Sequence, residues 1–277
     1  MVRPLRIHLP GTLYHVVSRG NNKQAIFADD EDYLRFLKIM AHALERFMVR
    51  CHAYCLLWNH YHFLLEAGPH PLWRMMQKLN SQYCQSFNRR HKRVGHVVQG
   101  RYKSPLIDNE VYFLRVVRYI VRNPVAAKLV ERPEDWRWSS YRATAGLGPA
   151  TPGLDIVRVL AAFDPNDIDH ARLQFVSYVN DGTDDARWRD LFLADATALA
   201  TRVRPALESQ RSNEDFTYRE RYATRPPLWD LLPAGCERRA IRANAKIAYF
   251  EHAYTLGELA AHLSRPKSTI WRWIHDE

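Results

Sequence analysis

Hydrophobic and polar positions in the first half of the chain switch between a period of two and a period near 3.6. The run "LYHVVS" (Leu13–Ser18) is β-branched and aromatic and stops at "RGNNK", a turn signal, which predicts a strand. "DDEDYLRFLKIMAHALERF" (Asp29–Phe47) sets Tyr33, Phe36, Leu37, Met40 and Leu44 at helical spacing behind an acidic first turn. Cys51–Leu57 and His60–Glu66 read as two strands joined tightly at Trp58 and Asn59. Pro71 opens a second helix through Leu72, Met75, Met76, Leu79 and Tyr83, which runs into the basic "RRHKR" (Arg89–Arg93). His96–Ile107 is strand-like and Glu110–Asn123 is helical. The order is β-α-β-β-α-β followed by a helix, the split βαβ pattern of a ferredoxin-like or RRM-like sheet in the α+β class. That architecture predicts two helices on one sheet face and the other face open to a ligand.

The second half is helical in pattern, with dense Arg and Trp. "GLGPATPG" (Gly146–Gly153) crowds three glycines and two prolines into eight residues, which marks a boundary. The expected organisation is a sheet domain over 1–145, a linker over 146–153, a helical region over 154–250 and a terminal motif over 251–277. In "YTLGELAAHLSRPKSTIWRWI", Thr255 and Glu258 stand at capping-box spacing, a short helix follows, and Pro266 opens another. This is the pattern of a helix-turn-helix whose second helix presents Lys267, Ser268, Thr269 and Arg272 to a DNA groove. A plain helical hairpin capping the fold is the alternative.

Charge sharpens the picture. The chain carries 40 Lys and Arg against 30 Asp and Glu; residues 1–145 hold 23 and 11 of them, a net of +12, and the rest holds a net of −2. A domain this basic suits a polyanion, because neutralising phosphates releases counterions. No stretch of 18 or more apolar residues occurs, so no membrane span is expected. The first residues lack an apolar signal-peptide core, and the four cysteines follow no knuckle spacing. A cytoplasmic, nucleoid-associated protein with reduced thiols is expected.

Two segments carry candidate chemistry. In "WNHYHFLLE" (Trp58–Glu66), strand alternation puts His60 and His62 on one face, about 6.6 Å apart at Cα, with Tyr61 turned away. Two imidazoles at that separation can converge on one metal ion, and Glu66 is too far along the strand to join them. A pair of edge-strand histidines without metal is the alternative. In "VVRYIVRNP" (Val116–Pro124), Tyr119 and Asn123 stack at i and i+4, a candidate nucleophile and a candidate third ligand. Pro124 disfavours helical geometry at Asn123, so that amide is expected near the helix end. Arg115, Arg118 and Arg122 run as a basic stripe beside them. An ordinary half-buried tyrosine is the alternative for Tyr119.

"LLWNHYHFLLE" with "LRVVRYIVRNPVAAKLV" resembles the single-tyrosine His-hydrophobic-His transposases of the IS200-like kind, in particular the REP-associated tyrosine transposases. "RPLRIHLPGTLYHVVSRGNNKQAIF", "HVVQGRYKS" and "WRWSSY" support the resemblance, which covers about residues 1–145. The chain departs from relatives in the bulky Tyr61 between the histidines and in Val121, where relatives often carry His. The resemblance implies a metal-dependent single-strand DNA endonuclease and transposase with Tyr119 as nucleophile, forming a 5′-phosphotyrosine link and a free 3′-OH. It implies Mg²⁺ or Mn²⁺ held by His60, His62 and Asn123, whereas imidazole chemistry alone favours Mn²⁺ or Zn²⁺. It also implies a hairpin-forming repetitive DNA substrate. Arg89, Arg90, Lys92, Arg93, Arg101, Lys103 and the Arg115/Arg118/Arg122 stripe are the expected DNA contacts, with Tyr102 and Tyr112 as stacking platforms. The rival readings are an inert DNA-binding regulator acting through the helix-turn-helix, and a phosphodiesterase using an activated water. Monomer and homodimer are both compatible with the sequence.

Overall fold

A computed structural model describes residues 10–107, 110–181, 226–233, 238–250, 252 and 254–275. They fall into two compact units, one within His8–Leu199 and one within Ala200–Glu277. The helical pattern expected between 182 and 225 lies outside the described residues. Among the described residues no helix is long and apolar enough to cross a membrane.

The first unit is built on a four-stranded antiparallel sheet in the order β2-β3-β1-β4. Its strands are β1 (Leu13–Arg19), β2 (Arg50–Leu57), β3 (His60–Glu66) and β4 (Leu106–Ile107). The crossover helices are α1 (Asp30–Arg46) and α2 (Leu72–Arg90). Asp29 caps α1 by accepting from the Asp32 amide, and an acidic first turn complements the helix dipole. Tyr14, Val16, Tyr61, Phe63 and Leu65 from one sheet face meet Phe36 and Met40 of α1 and Met76, Leu79 and Tyr83 of α2. Each fully buried side chain of this size stabilises the fold by roughly 1.5–3 kcal/mol. The α+β split βαβ architecture is as the sequence pattern predicts.

Three features differ from the sequence expectation. The strand expected over His96–Ile107 is regular only at its last two residues. Val17 pairs with Lys103 and Gly20 with Val98, so five steps of this segment span three of β1 and the excess bulges out. Gly100, at φ +62°, turns the chain within the bulge, and Pro105 has no amide to donate.

The second sheet face is also covered rather than open. Helix α3 (Glu110–Ala126) lays Phe113, Val117, Ile120 and Val121 on Leu13, Ala53, Cys55, Leu57 and Leu64. After the short helices α4 (Tyr141–Thr144) and α5 (Val157–Ala161), helix α6 (Ile168–Asn180) adds Ala171, Phe175 and Val179 to that core. An apolar stripe on α3 cannot stay in water while an apolar sheet face lies next to it in sequence and space.

The stretch expected as a linker is packed on the same unit. The Thr151 hydroxyl meets the Tyr54 hydroxyl at 2.7 Å, Leu154 bridges Cys51, and Gly153 sits so close to Leu44 that a Cβ would lie 3.0 Å from it. Glycine and proline here shape a turn against the domain.

The second unit contains α7 (Leu228–Leu231), α8 (Arg238–Phe250), α9 (Leu256–His262) and α10 (Lys267–His275). Leu228, Ala248, Tyr254, Leu259, Ile270 and Ile274 form its core. The capping box forms as predicted: the Thr255 amide donates to Glu258 Oε2 at 2.9 Å, and the Glu258 amide donates to Thr255 Oγ1 at 3.2 Å. Ser264, at φ +51°, turns α9 into α10.

Candidate active site

The site lies on the second sheet face, where α3 crosses it. In the β1–β3 register, Val17 stands opposite His62 and Arg19 opposite His60. Directly paired residues share a face, so His15, Val17 and Arg19 of β1 lie on the side that carries His60 and His62. Tyr61 points the other way into the first core, where its hydroxyl donates to Asn80 Oδ1 at 2.6 Å.

The two predicted histidines are neighbours, ring centroids 5.1 Å apart and nearly perpendicular at 73°. His60 Nδ1 lies 2.6 Å from Asn59 Oδ1. A carbonyl oxygen only accepts, so the proton is on His60 Nδ1 and the Nε2 lone pair is free to bind a cation. His62 Nδ1 lies 3.0 Å from Nε2 of His15, a third imidazole that stacks on it at 5.2 Å and 15°. Burial, reinforced by the nearby Arg19 charge, lowers the His60 pKa to about 4. His62 is held well below the usual histidine value by burial first, then by His15, His60 and Arg19. Both are therefore neutral at pH 7, the form that donates to a metal.

Tyr119 comes from α3. The buried Val116, Val117 and Ile120 fix the helix on the sheet and leave Tyr119 half-buried at its edge. Its ring stands edge-on to His62 at 5.6 Å and to His15 at 5.7 Å. The predicted tyrosine and histidine pair are thus brought together by the helix that closes the second face.

Asn123 lies one turn further along the same helix face. The helix does not end there, as expected from Pro124, but continues to Ala126 with the proline inside it. Pro124 cannot donate to the Ile120 carbonyl. The Asn123 amide compensates, with Nδ2 donating to Tyr119 O at 2.8 Å and reaching Ile120 O at 3.5 Å. This leaves Oδ1 as its remaining polar atom. Among the described residues no group of three or more His, Cys, Asp or Glu side chains is placed to hold a metal ion. The candidate donor set is two imidazole nitrogens of β3 and the Asn123 amide, one helical turn beyond Tyr119 on α3. That set fits a divalent cation that takes its other ligands from substrate and water.

The expected DNA contacts divide by environment. Arg89, Lys92, Arg101 and Lys103 are exposed. Arg93 is exposed and donates to Gln24 Oε1 at 2.8 Å. Arg90 is committed to Asp29, Glu31 and Asp32 at 2.7, 3.1 and 2.8 Å, tying the end of α2 to the start of α1. Two members of the α3 stripe face α6 rather than solvent. Arg118 is buried, its guanidinium 4.6 Å from the Tyr178 ring, and Arg122 donates to Val179 O at 2.7 Å. Arg115 is half-buried over Tyr112 at 5.9 Å. Tyr102 is buried in the first core and offers no free stacking face. On α10, Lys267, Ser268 and Arg272 are exposed and Thr269 is half-buried.

Sequence reasoning missed His15 and Asn59. The signal for His15 was its alternation with Leu13 and Val17, but only the β1–β3 register reveals which strand it faces.

Residues 9–123 match the family model described as "Transposase IS200 like", a span that takes in β1, the histidine pair, Tyr119 and Asn123. Over that span the chain is similar to the IS200-like transposases. Among solved structures, a REP-associated tyrosine transposase bound to a REP hairpin is 19% identical with a TM-score of 0.46, over 56% of this chain and 93% of that one. A protein from Deinococcus radiodurans R1 described as a candidate transposase is 16% identical with a TM-score of 0.32, over 43% of this chain and 95% of that one. No curated protein matches the chain.

Proposed function

We propose that this protein is a transposase that cleaves and rejoins single-stranded DNA through a covalent bond to Tyr119. The observation that carries the reading is the convergence of the Tyr119 ring on His62 at 5.6 Å, on the face that also holds His60. In the forward step Tyr119 Oη attacks the phosphorus and its phenolic proton leaves to solvent. The bond from phosphorus to the 3′ oxygen breaks, and that oxygen takes up a proton to give a 3′-OH and a 5′-phosphotyrosine. Attack by a 3′-OH reverses these changes and restores the phenol. The phosphoester bond is conserved throughout, so rejoining needs no external energy source.

His60 Nε2, His62 Nε2 and Asn123 Oδ1 are the atoms that would hold Mg²⁺ or Mn²⁺. Bound there, the cation supplies charge stabilisation on the phosphate oxygens. A phenol with a pKa near 10 is only about 0.1% ionised at pH 7, so it needs a polarised target. Asn59 and the sheet register orient the His60 ring; α3 orients Tyr119. The exposed Arg89, Lys92, Arg93, Arg101 and Lys103 form the surface that would track the phosphate backbone, and α10 would contact duplex DNA. The sequence resemblance to REP-associated transposases supports a hairpin-forming repeat as substrate.

The test is incubation with Mn²⁺ and end-labelled single-stranded hairpins drawn from repeats near the gene, followed by a denaturing gel. Label at protein mass, absent with Tyr119→Phe, supports the reading. Clean cleavage with no adduct would instead assign an activated water.

A further inference from the structure

We infer that His15 is a positioning residue for His62: it accepts the Nδ1 proton of His62 and holds that ring with Nε2 turned toward the cation site. The inference rests on His60 and His62 being metal ligands. One proton occupies the 3.0 Å gap between His62 Nδ1 and His15 Nε2. With the proton on His62, its Nε2 carries a lone pair and can ligate. With the proton on His15, a neutral His62 must carry its own on Nε2, and the ligand is lost.

The His60 ring follows the same plan with a different acceptor. Asn59 Oδ1 takes its Nδ1 proton at 2.6 Å and leaves Nε2 open. Each member of the pair thus has an outer partner at Nδ1, the arrangement that fixes tautomer and orientation in metal-ligating histidines.

His15 is only 1% exposed, on the sheet face where Leu13 and Leu64 join an apolar core beside the histidine pair. An apolar residue would serve packing there without the desolvation cost of a buried imidazole. Its ring stacks on His62 and meets the edge of Tyr119, so it touches both the ligand and the nucleophile. Its Nε2 is engaged by His62 Nδ1, which gives it the outer-partner role.

The test titrates the full chain with Mn²⁺, following free ion by electron paramagnetic resonance, for wild type, His15→Phe, His15→Gln and His60→Ala. His15→Phe keeps the ring's bulk but accepts no hydrogen bond; its Mn²⁺ Kd rises by roughly 10–100-fold. His15→Gln places an amide oxygen near the old Nε2 and recovers most of that loss. Cleavage follows, with the Mn²⁺ requirement raised and the rate at saturating Mn²⁺ largely restored. Wild-type Mn²⁺ affinity in His15→Phe, alongside lost affinity in His60→Ala, overturns the positioning role and leaves the metal site standing. Equal impairment in Phe and Gln variants overturns it in favour of packing. Unchanged affinity in His60→Ala overturns the metal site and the positioning role together. A variant-free measurement covers misfolding: imidazole nitrogen shifts of the wild-type protein place the His62 proton on Nδ1, and a proton on Nε2 contradicts the inference.

Discussion

The Tyr119 ring stands edge-on to the His62 imidazole, centroids 5.6 Å apart and planes at 85°, although the two lie 57 positions apart in the chain. The contact exists because α3 closes the second sheet face. Phe113, Val117 and Ile120 sink into the core and set Tyr119 at the rim beside the histidines. Burial that stabilises the fold also places Tyr119 beside the histidines.

Tyr119→Phe is expected to remove the covalent product and lower strand cleavage by at least about 10³-fold, as loss of a nucleophile does. Binding of the same hairpin, measured by a mobility shift, is expected to be unchanged. Cleavage near the wild-type rate in this variant contradicts the assignment.

His60→Ala is expected to abolish cleavage at Mn²⁺ levels that saturate wild type, with an effect beyond the roughly 10–100-fold typical of outer-shell changes. Chelation of divalent ions is expected to silence wild type in the same way, with recovery on adding Mn²⁺. Activity that survives chelation overturns the metal assignment.

Arg118 and Arg101 are expected to separate stability from DNA binding. Arg118→Ala removes a guanidinium from the Tyr178 ring and lowers stability by about 1–2 kcal/mol in urea unfolding, with the salt dependence of DNA binding intact. Arg101→Ala, at an exposed position, is expected to leave stability unchanged and to flatten the slope of log affinity against log salt by about 1. The opposite pattern would place α3's stripe on the DNA.

Glu66 couples stability to pH. Burial alone would raise its carboxyl pKa, but hydrogen bonds from His52 at 3.0 Å and Arg158 at 2.7 Å outweigh it and leave the pKa below its ordinary 4.5. A depressed folded pKa means the contribution is complete above pH 4.5 and is lost as pH falls through the folded value. Glu66→Gln is expected to be less stable than wild type at pH 7, with the difference shrinking below pH 4.5. A difference that does not change with pH would contradict this origin.

Much of the fold was legible because each element announces itself locally. The α1 stripe with its Asp29 cap, the tight Trp58–Asn59 turn and the Thr255–Glu258 capping box all act within a few residues. Strand alternation likewise separated His60 and His62 from Tyr61. What escaped depends on contacts distant in sequence. Arg118 and Arg122 read as part of a solvated stripe until Tyr178 and Val179 of α6 cover them. Pro124 reads as a helix end until the Asn123 amide is seen to satisfy the carbonyl it frees. His15 needs the β1–β3 register, which no local pattern carries.

The most direct test of the central claim is mass spectrometry of the covalent DNA adduct after proteolysis and nuclease trimming. The account predicts a 5′-phosphonucleotide on the Tyr119 peptide alone. A modification at Tyr61 or another tyrosine, or cleaved DNA with no modified peptide, would contradict it.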